Sequence, residues 1–201
     1  GDNEECFFIA ELGHNHQGDI NTCKKLIDEA KKCGAQSVKL QKRDNKLLFT
    51  EEVYNGEYNS ENAYGVTYGE HREYLEFGKD EYLELKKYCL EKDIIFFATA
   101  FDFNSADFLE EIDMPAYKLA SGDLKNIPLL KYIAKFNKPM FVSTGGGTLD
   151  AVQEAYNAVI PINNQLCIMQ CTAGYPPVYK EMNVNVIETY RNTFEDIPIG
   201  F

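Results

Sequence analysis

The sequence predicts an α/β fold of the (β/α)8 barrel class. Three observations predict it. Short apolar runs of strand length alternate with helical patterns from one end of the chain to the other. The turn after the first run, ELGHNHQGD, lacks the GxGxxG of a dinucleotide-binding open sheet. Nearly every run ends in polar or reactive side chains: Glu11, then Lys39 and Gln41, Thr99, Lys118 and Ser121, Ser143 and Thr144, Cys171 and Thr172. A barrel gathers its chemistry at the C-terminal ends of all its strands, whereas an open sheet uses mainly the point where its strand order reverses.

Taken in order, strands are expected over Cys6–Leu12, Ser37–Gln41, Ile94–Thr99, Ala116–Ala120, Pro139–Ser143, Leu166–Cys171 and Ile197–Phe201. They are short and continuously apolar, as strands covered on both faces are. A helix is expected over Asn21–Cys33, where Cys23, Leu26, Ile27, Ala30 and Cys33 recur at helical spacing and Gly34 supplies the stop. Further helices are expected over Asp80–Lys92, Ser105–Ile112, Pro128–Phe136, Leu149–Ile160 and Val184–Phe194. Ser105 and Asn126 read as N-caps, and Pro128 suits a first turn. Residues 42–79 read as a long insertion rich in Tyr, Asn, Gly and Glu, of a length that is usually functional or mobile. No linker composition divides the chain, so residues 1–201 are expected to form one catalytic barrel domain. About seven strands and six helices are two helices and one strand short of a full barrel, which typically needs about 250 residues. The expectation is therefore an incomplete barrel.

Composition narrows the function. The 201 residues carry a formal net charge of −12 and a sequence pI near 4.7, the opposite of a nucleic-acid footprint. No apolar stretch approaches the roughly 20 residues of a membrane helix, and the N-terminus GDNEEC is acidic and polar rather than a leader. A cytoplasmic protein that binds neither nucleic acid nor membrane is expected. The six cysteines, Cys6, Cys23, Cys33, Cys89, Cys167 and Cys171, show no CxxC spacing and read as reduced, mostly buried thiols rather than a zinc site.

Lys39 and Lys118 carry the sharpest signal, because each stands near the end of a strand. A buried lysine costs several kcal/mol unless paired. Two lysines at one barrel mouth suit a phosphate or carboxylate. The plainer reading pairs them internally with Glu11 or Asp123, and a Schiff-base lysine is a third possibility. ASGDL and STGGGT, each between a strand and a helix, offer backbone N–H groups and hydroxyls to an anion. Glu11 ends the first strand, where it can orient a hydroxylated substrate or move a proton. His14 and His16 are two residues apart and read either as metal ligands or as ordinary members of a polar loop. His71 reads as a surface or loop residue. Cys171 has no evident histidine base, and Tyr175 before two prolines reads as a rigid residue lining the pocket.

IAELGHNHQGD, SVKLQKRD, YGEHREYLEF, FFATAFD, YKLASGD, KPMFVSTGG, LCIMQCTAGYP and IPIGF, in that order and spacing, resemble the sialic acid synthase family, which includes N-acetylneuraminate, legionaminate and pseudaminate synthases. The resemblance runs over essentially the whole chain. It implies a (β/α)8 barrel and a transferase that condenses phosphoenolpyruvate with an N-acetylated amino sugar, giving a nine-carbon 2-keto acid and phosphate. Carried over by motif, Lys39, Thr99, Lys118, Ser121 and Ser143 would hold phosphoenolpyruvate. Glu11, Gln41, Asn62, Asp123 and Tyr175 would line the sugar side. Glu11, Lys39, Lys118 and Asp123 would carry the chemistry. It also implies a divalent metal, Mn2+ or Mg2+, in the intact enzyme, with histidine ligands that lie beyond Phe201, so no metal ligand is expected in this chain. A C-terminal antifreeze-like domain is likewise absent, and the full-length form is expected to be a homodimer. The chain departs from the family at Ala100, where Pro is common, at Asp123, where some members carry Glu, and at Ala173, where some carry Asn or Ser. An octulosonate-type synthase and an inactive sugar- or anion-binding module are the competing readings.

Overall fold

The computed structural model describes residues 4–201. They divide into two compact units, Glu5–Met114 and Pro115–Phe201. The first unit contains β1 (Ile9–Gly13), α1 (Ile20–Lys32), β2 (Ser37–Lys42), α2 (Asn45–Leu48), α3 (Glu51–Asn55), α4 (Tyr68–Leu75), α5 (Lys79–Glu91), β3 (Ile95–Ala100) and α6 (Phe103–Glu111). The second contains β4 (Tyr117–Leu119), α7 (Ile127–Ala134), β5 (Met140–Ser143), α8 (Leu149–Val159), β6 (Leu166–Met169), α9 (Val186–Thr193) and β7 (Ile199–Gly200), with 3-10 turns at Ser121–Asp123 and Tyr179–Glu181.

Within each unit every strand pairs in parallel with the next in chain order, β1-β2-β3 in one and β4-β5-β6-β7 in the other. The order never reverses inside a unit, which is the barrel repeat and not the doubly wound one. Residues two apart on a strand share a face. In β2, Val38 and Leu40 take one face and Ser37, Lys39 and Gln41 the other, and all but Gln41 are buried. Cys23 and Ile27 of α1, with Tyr82, Leu85 and Cys89 of α5, bury the apolar side of this unit. Complete burial of a residue such as Ile27 or Leu85 contributes about 1.5–3 kcal/mol. Leu129, Leu130 and Ile133 of α7 and Val152 and Val159 of α8 do the same for the second unit.

All seven strands and six expected helices are found, with ends that differ by a few residues. The first strand starts at Ile9 rather than Cys6. Phe7 and Phe8 stand exposed, and the Phe8 N–H donates to the Gln36 side chain instead of a strand partner. Cys6, ahead of that strand, and Cys33, the C-cap of α1, are exposed, against the expectation of mostly buried thiols, while Cys23 and Cys89 are buried and their thiols pushed up to about 12 by that burial. Ser105 is not an N-cap. Asp102 caps α6, accepting from the Ser105 N–H at 2.7 Å, and its other oxygen accepts from the Asp44 N–H at 2.8 Å. Asn126 caps α7 as expected.

The 42–79 insertion folds as α2, α3 and α4. Thr67 and Glu70 form a capping box on α4. Gly18 lies against this helix with φ of +74°, and a Cβ there would meet the Tyr74 carbonyl oxygen at 2.7 Å, so only glycine suits the contact.

Candidate active site

In the first unit the β1-β2 register sets Glu11 beside Lys39, and the β2-β3 register sets Lys39 beside Phe97. Thr99 lies two residues beyond Phe97 and so on the same face. The Lys39 ammonium is buried; it donates to Thr99 Oγ1 at 2.7 Å and is ion-paired with Glu11, which is half exposed. Burial pulls the Lys39 pKa below the ordinary lysine value, and Glu11 opposes that fall. Internal pairing with Glu11, the plainer of the readings weighed for this lysine, is thus what the chain adopts.

In the second unit the β4-β5 register sets Lys118 beside Phe141, with Ser143 two residues further. Lys118 is half-buried rather than buried, and it donates to the Leu119 carbonyl at 2.9 Å and to Ser143 Oγ at 2.5 Å. Ser121 opens the turn after β4, and its Oγ stands 4.0 Å from Cys171 Sγ. A Cβ on Gly145 would come within 3.1 Å of both atoms, so a side chain at that position would displace them. Asp123 accepts from Asn126 Nδ2 at 3.3 Å.

The remaining expected residues are less confined. Gln41, half-buried, accepts from Arg43 Nη2 at 2.6 Å. Asn62 lies exposed in the insertion, its N–H donating to Ser60 Oγ at 3.3 Å. Tyr175 is 98% exposed. Ala100 is buried at the end of β3.

His14 and His16 lie in the loop after β1, as the plainer reading has them, whereas His71 departs from the surface or loop role expected of it. His71 is buried on α4, accepts from the Tyr64 N–H at 3.2 Å and stacks on the Tyr64 ring, and burial lowers its pKa. His16 is 2% exposed, stacks on Phe77 at 4.0 Å and accepts from the Gly18 N–H at Nδ1, 3.1 Å away. Burial, reinforced by His14, lowers its pKa to about 4, so the ring is neutral at physiological pH. Among the described residues, no three His, Cys, Asp or Glu side chains come together as a metal site. The described residues by themselves therefore offer no site for the divalent metal that the resemblance implies.

Sequence reasoning missed a cationic cluster in the first unit. His14, Arg43, Arg72, Lys42 and Glu76 come from the loop after β1, the end of β2, and α4 with the residue after it. Burial alone would raise the Glu76 pKa, but His14, Lys42 and the Arg43 N–H outweigh it and hold this carboxyl below its ordinary value. The missed signal was the alternation Lys39, Gln41, Arg43, which carries one strand face past its end. Beside the cluster, Lys42, Arg43, Lys46, Asp44, Glu73 and Glu76 line a cavity of about 480 Å³, a balanced set of three cations and three carboxylates.

Comparison with known proteins covers both units. Residues 26–201 match the model of the NeuB family. The chain is 41% identical over 201 residues to N-acetylneuraminate-9-phosphate synthase of Homo sapiens, covering all of this chain and 56% of that protein. It is 32% identical over 207 residues to N,N'-diacetyllegionaminic acid synthase of Legionella pneumophila, covering all of this chain and 58% of that protein. A crystal structure of N-acetylneuraminic acid (sialic acid) synthetase from Leptospira borgpetersenii, in complex with citrate, superposes with a TM-score of 0.86 at 32% identity, covering 99% of this chain and 65% of that one. The chain thus spans a little over half the length of the curated relatives it matches. With the strand order of each unit, these similarities give the fold class as the incomplete (β/α)8-type barrel expected from the sequence. The chain belongs to the NeuB family.

Proposed function

We propose that this chain carries the phosphoenolpyruvate-handling part of a synthase that joins phosphoenolpyruvate to an N-acetylated amino sugar. The supporting observation is the arrangement around Lys39: a buried ammonium at the end of a strand, held by a hydroxyl and by a carboxylate that is itself half open to solvent. An ammonium kept charged in a low-dielectric wall is suited to an incoming carboxylate or phosphate. Lys39 with Thr99, and Lys118 with Ser121 and Ser143, would each neutralise an anionic group of phosphoenolpyruvate.

In the proposed reaction, C3 of phosphoenolpyruvate forms the new carbon–carbon bond to C1 of the open-chain aldehyde. Water adds at C2, the C2–O bond to phosphate breaks, and the products are a nine-carbon 2-keto acid and inorganic phosphate. Glu11 would hold or move a proton at the sugar, and Gln41, Asn62, Asp123 and Tyr175 would contact its hydroxyls. The sialic and legionaminic acid synthases among the relatives support this class of product. A divalent metal, a homodimeric assembly and a cytoplasmic location belong to the same proposal. No described helix is long and apolar enough to cross a membrane.

The test is phosphate release by the protein at its natural length from phosphoenolpyruvate, with and without N-acetylmannosamine. Release that requires both substrates, with formation of a 2-keto acid, is expected. Release without sugar, or only with an aldose that lacks the N-acetyl group, would overturn the reading in favour of a hydrolase or an octulosonate-type synthase.

A further inference from the structure

We propose that Asn55 is a modification site, whose carboxamide deamidates through a succinimide formed with Gly56, and that the product loosens the joint between α3 and α4. The proposal goes beyond the synthase reading and stands independently of it.

Asn55-Gly56 is the only Asn-Gly pair in the sequence. Several features leave it open to ring closure. Gly56 has no Cβ to crowd its nitrogen as that nitrogen approaches the Asn55 side chain. Asn55 is exposed, and its carboxamide makes no hydrogen bond among the described residues. The Gly56 N–H, just past the end of α3, is held by the Val53 carbonyl at 3.3 Å, longer than the usual N–H···O distance of about 2.9–3.0 Å. α3 has five residues, and so short a helix has little stability of its own to fix the Asn55 backbone.

The other exposed candidates are better protected. Asn59 and Asn104, each followed by serine, have their amide nitrogens engaged. Asn59 Nδ2 donates to Glu57 Oε1 at 3.1 Å, and Asn104 Nδ2 donates to Asp44 Oδ2 at 2.8 Å from within α6. Each next residue also carries the side chain that Gly56 lacks.

In the step proposed, the Gly56 nitrogen loses its proton and attacks Asn55 Cγ. A new N–Cγ bond forms, the bond from Cγ to the amide nitrogen breaks, and that nitrogen leaves as ammonia. Water then adds to one of the two ring carbonyls and opens the succinimide. Opening on one side gives aspartate. Opening on the other gives isoaspartate, in which the main chain runs through the former side chain.

Both products strike a joint that the structure fastens closely. The Gly56 carbonyl accepts from the Tyr68 N–H at 2.9 Å, the Tyr58 N–H donates to the Val66 carbonyl at 3.0 Å, and Glu57 bridges Thr67. Residues 56–58 are thus strapped to the entry of α4. Isoaspartate lengthens the backbone by one carbon immediately before this strap and throws it out of register. Aspartate adds a charge four residues after Glu51 and three after Glu52, at the C-terminal end of α3, where negative charge is unfavourable. The ring of Tyr54, one residue before the site, packs on Gly69 so tightly that a Cβ there would meet it at 2.6 Å, and its hydroxyl donates to Glu73. This α3–α4 contact depends on the same short helix.

The experiment ages the protein at its natural length at mildly alkaline pH, folded and denatured in parallel, and follows it by peptide mapping, by labelling with an isoaspartyl methyltransferase and by hydrogen exchange. The expected result is a gain of about 1 Da at Asn55 in the folded protein, several times faster than at Asn59 or Asn104, with methyl label on the same peptide. Aged chains should lose exchange protection at the Tyr58 and Tyr68 N–H groups, and Asn55→Asp should reproduce part of that loss without ageing. Asn55→Gln, whose ring closes far more slowly, should keep both its mass and its protection. Conversion confined to the denatured sample, or fastest at another asparagine, would overturn the assignment of the site. Full conversion with Tyr58 and Tyr68 as protected as before would overturn the loosening.

Discussion

Two regions of the molecule carry the same arrangement. In each unit a strand lysine stands beside a phenylalanine of the next strand and donates to a hydroxyl two residues beyond it: Lys39, Phe97 and Thr99 in one, Lys118, Phe141 and Ser143 in the other. What differs is the surroundings. Lys39 is buried on a six-residue strand and meets the carboxylate of Glu11; Lys118 is half-buried on a three-residue strand and also donates to a main-chain carbonyl. A buried ammonium is costly unless an opposite charge stands near it. At that depth Lys39 needs a built-in counter-ion before any ligand arrives.

That difference sets the size of the effects. Lys39→Met removes the attracting cation and leaves Glu11 facing an incoming anion. Phosphoenolpyruvate binding should weaken several hundredfold, roughly 3–4 kcal/mol for a lost charge-assisted contact plus the repulsion left behind. Calorimetry checks it, and adding Glu11→Gln in the same chain should recover part of the loss. If the single and double variants bind equally, the pair does not act as a unit.

The next effect belongs to the first unit alone, since His14, His16 and His71 all lie there. His16 has its pKa lowered from 6.5 to about 4, so between those values the unfolded chain binds the extra proton and the folded one does not. Its contribution is fully present above about pH 6.5 and is lost as pH falls to about 4, on the order of 3 kcal/mol at 1.36 kcal/mol per pKa unit. Thermal unfolding followed across that range should show the decline, and His16→Gln should flatten it. An unaltered pH profile in the variant would assign the loss to other groups.

Lys118→Met should weaken phosphoenolpyruvate binding about tenfold to a hundredfold, less than Lys39→Met, because one charge-assisted contact worth about 1.5–3 kcal/mol goes from a half-buried rather than a buried position. A larger loss than at Lys39 would reverse the comparison. The smallest effect is Asp102→Ala, which uncaps α6 and frees the Asp44 N–H. About 1–2 kcal/mol of stability should go, read from the unfolding midpoint.

The two lysines were legible because a strand announces itself by apolar residues, and a charge within one stands out. The seven strands and the six helices outside the insertion were legible for the same reason of periodicity. Glu11 beside Lys39 was open as one of several pairings, since only the β1-β2 register, with its shift between Glu11 and Gly13, decides it. The arginine cluster was hidden. Its members come from three segments, and the helix that brings Arg72 sits in an insertion of low hydrophobic contrast. Burial of His16 and His71 depends on Phe77 and on Tyr58 and Tyr64, contacts that no local pattern announces.

The most direct measurement is a calorimetric titration of phosphoenolpyruvate into the parent protein at its natural length and into Lys39→Met, Lys118→Met and Arg43→Gln. The account predicts that both lysine variants lose at least tenfold in affinity, Lys39→Met the most, and that each loses more than Arg43→Gln. Affinity that survives in both lysine variants, or falls furthest in Arg43→Gln, would contradict it.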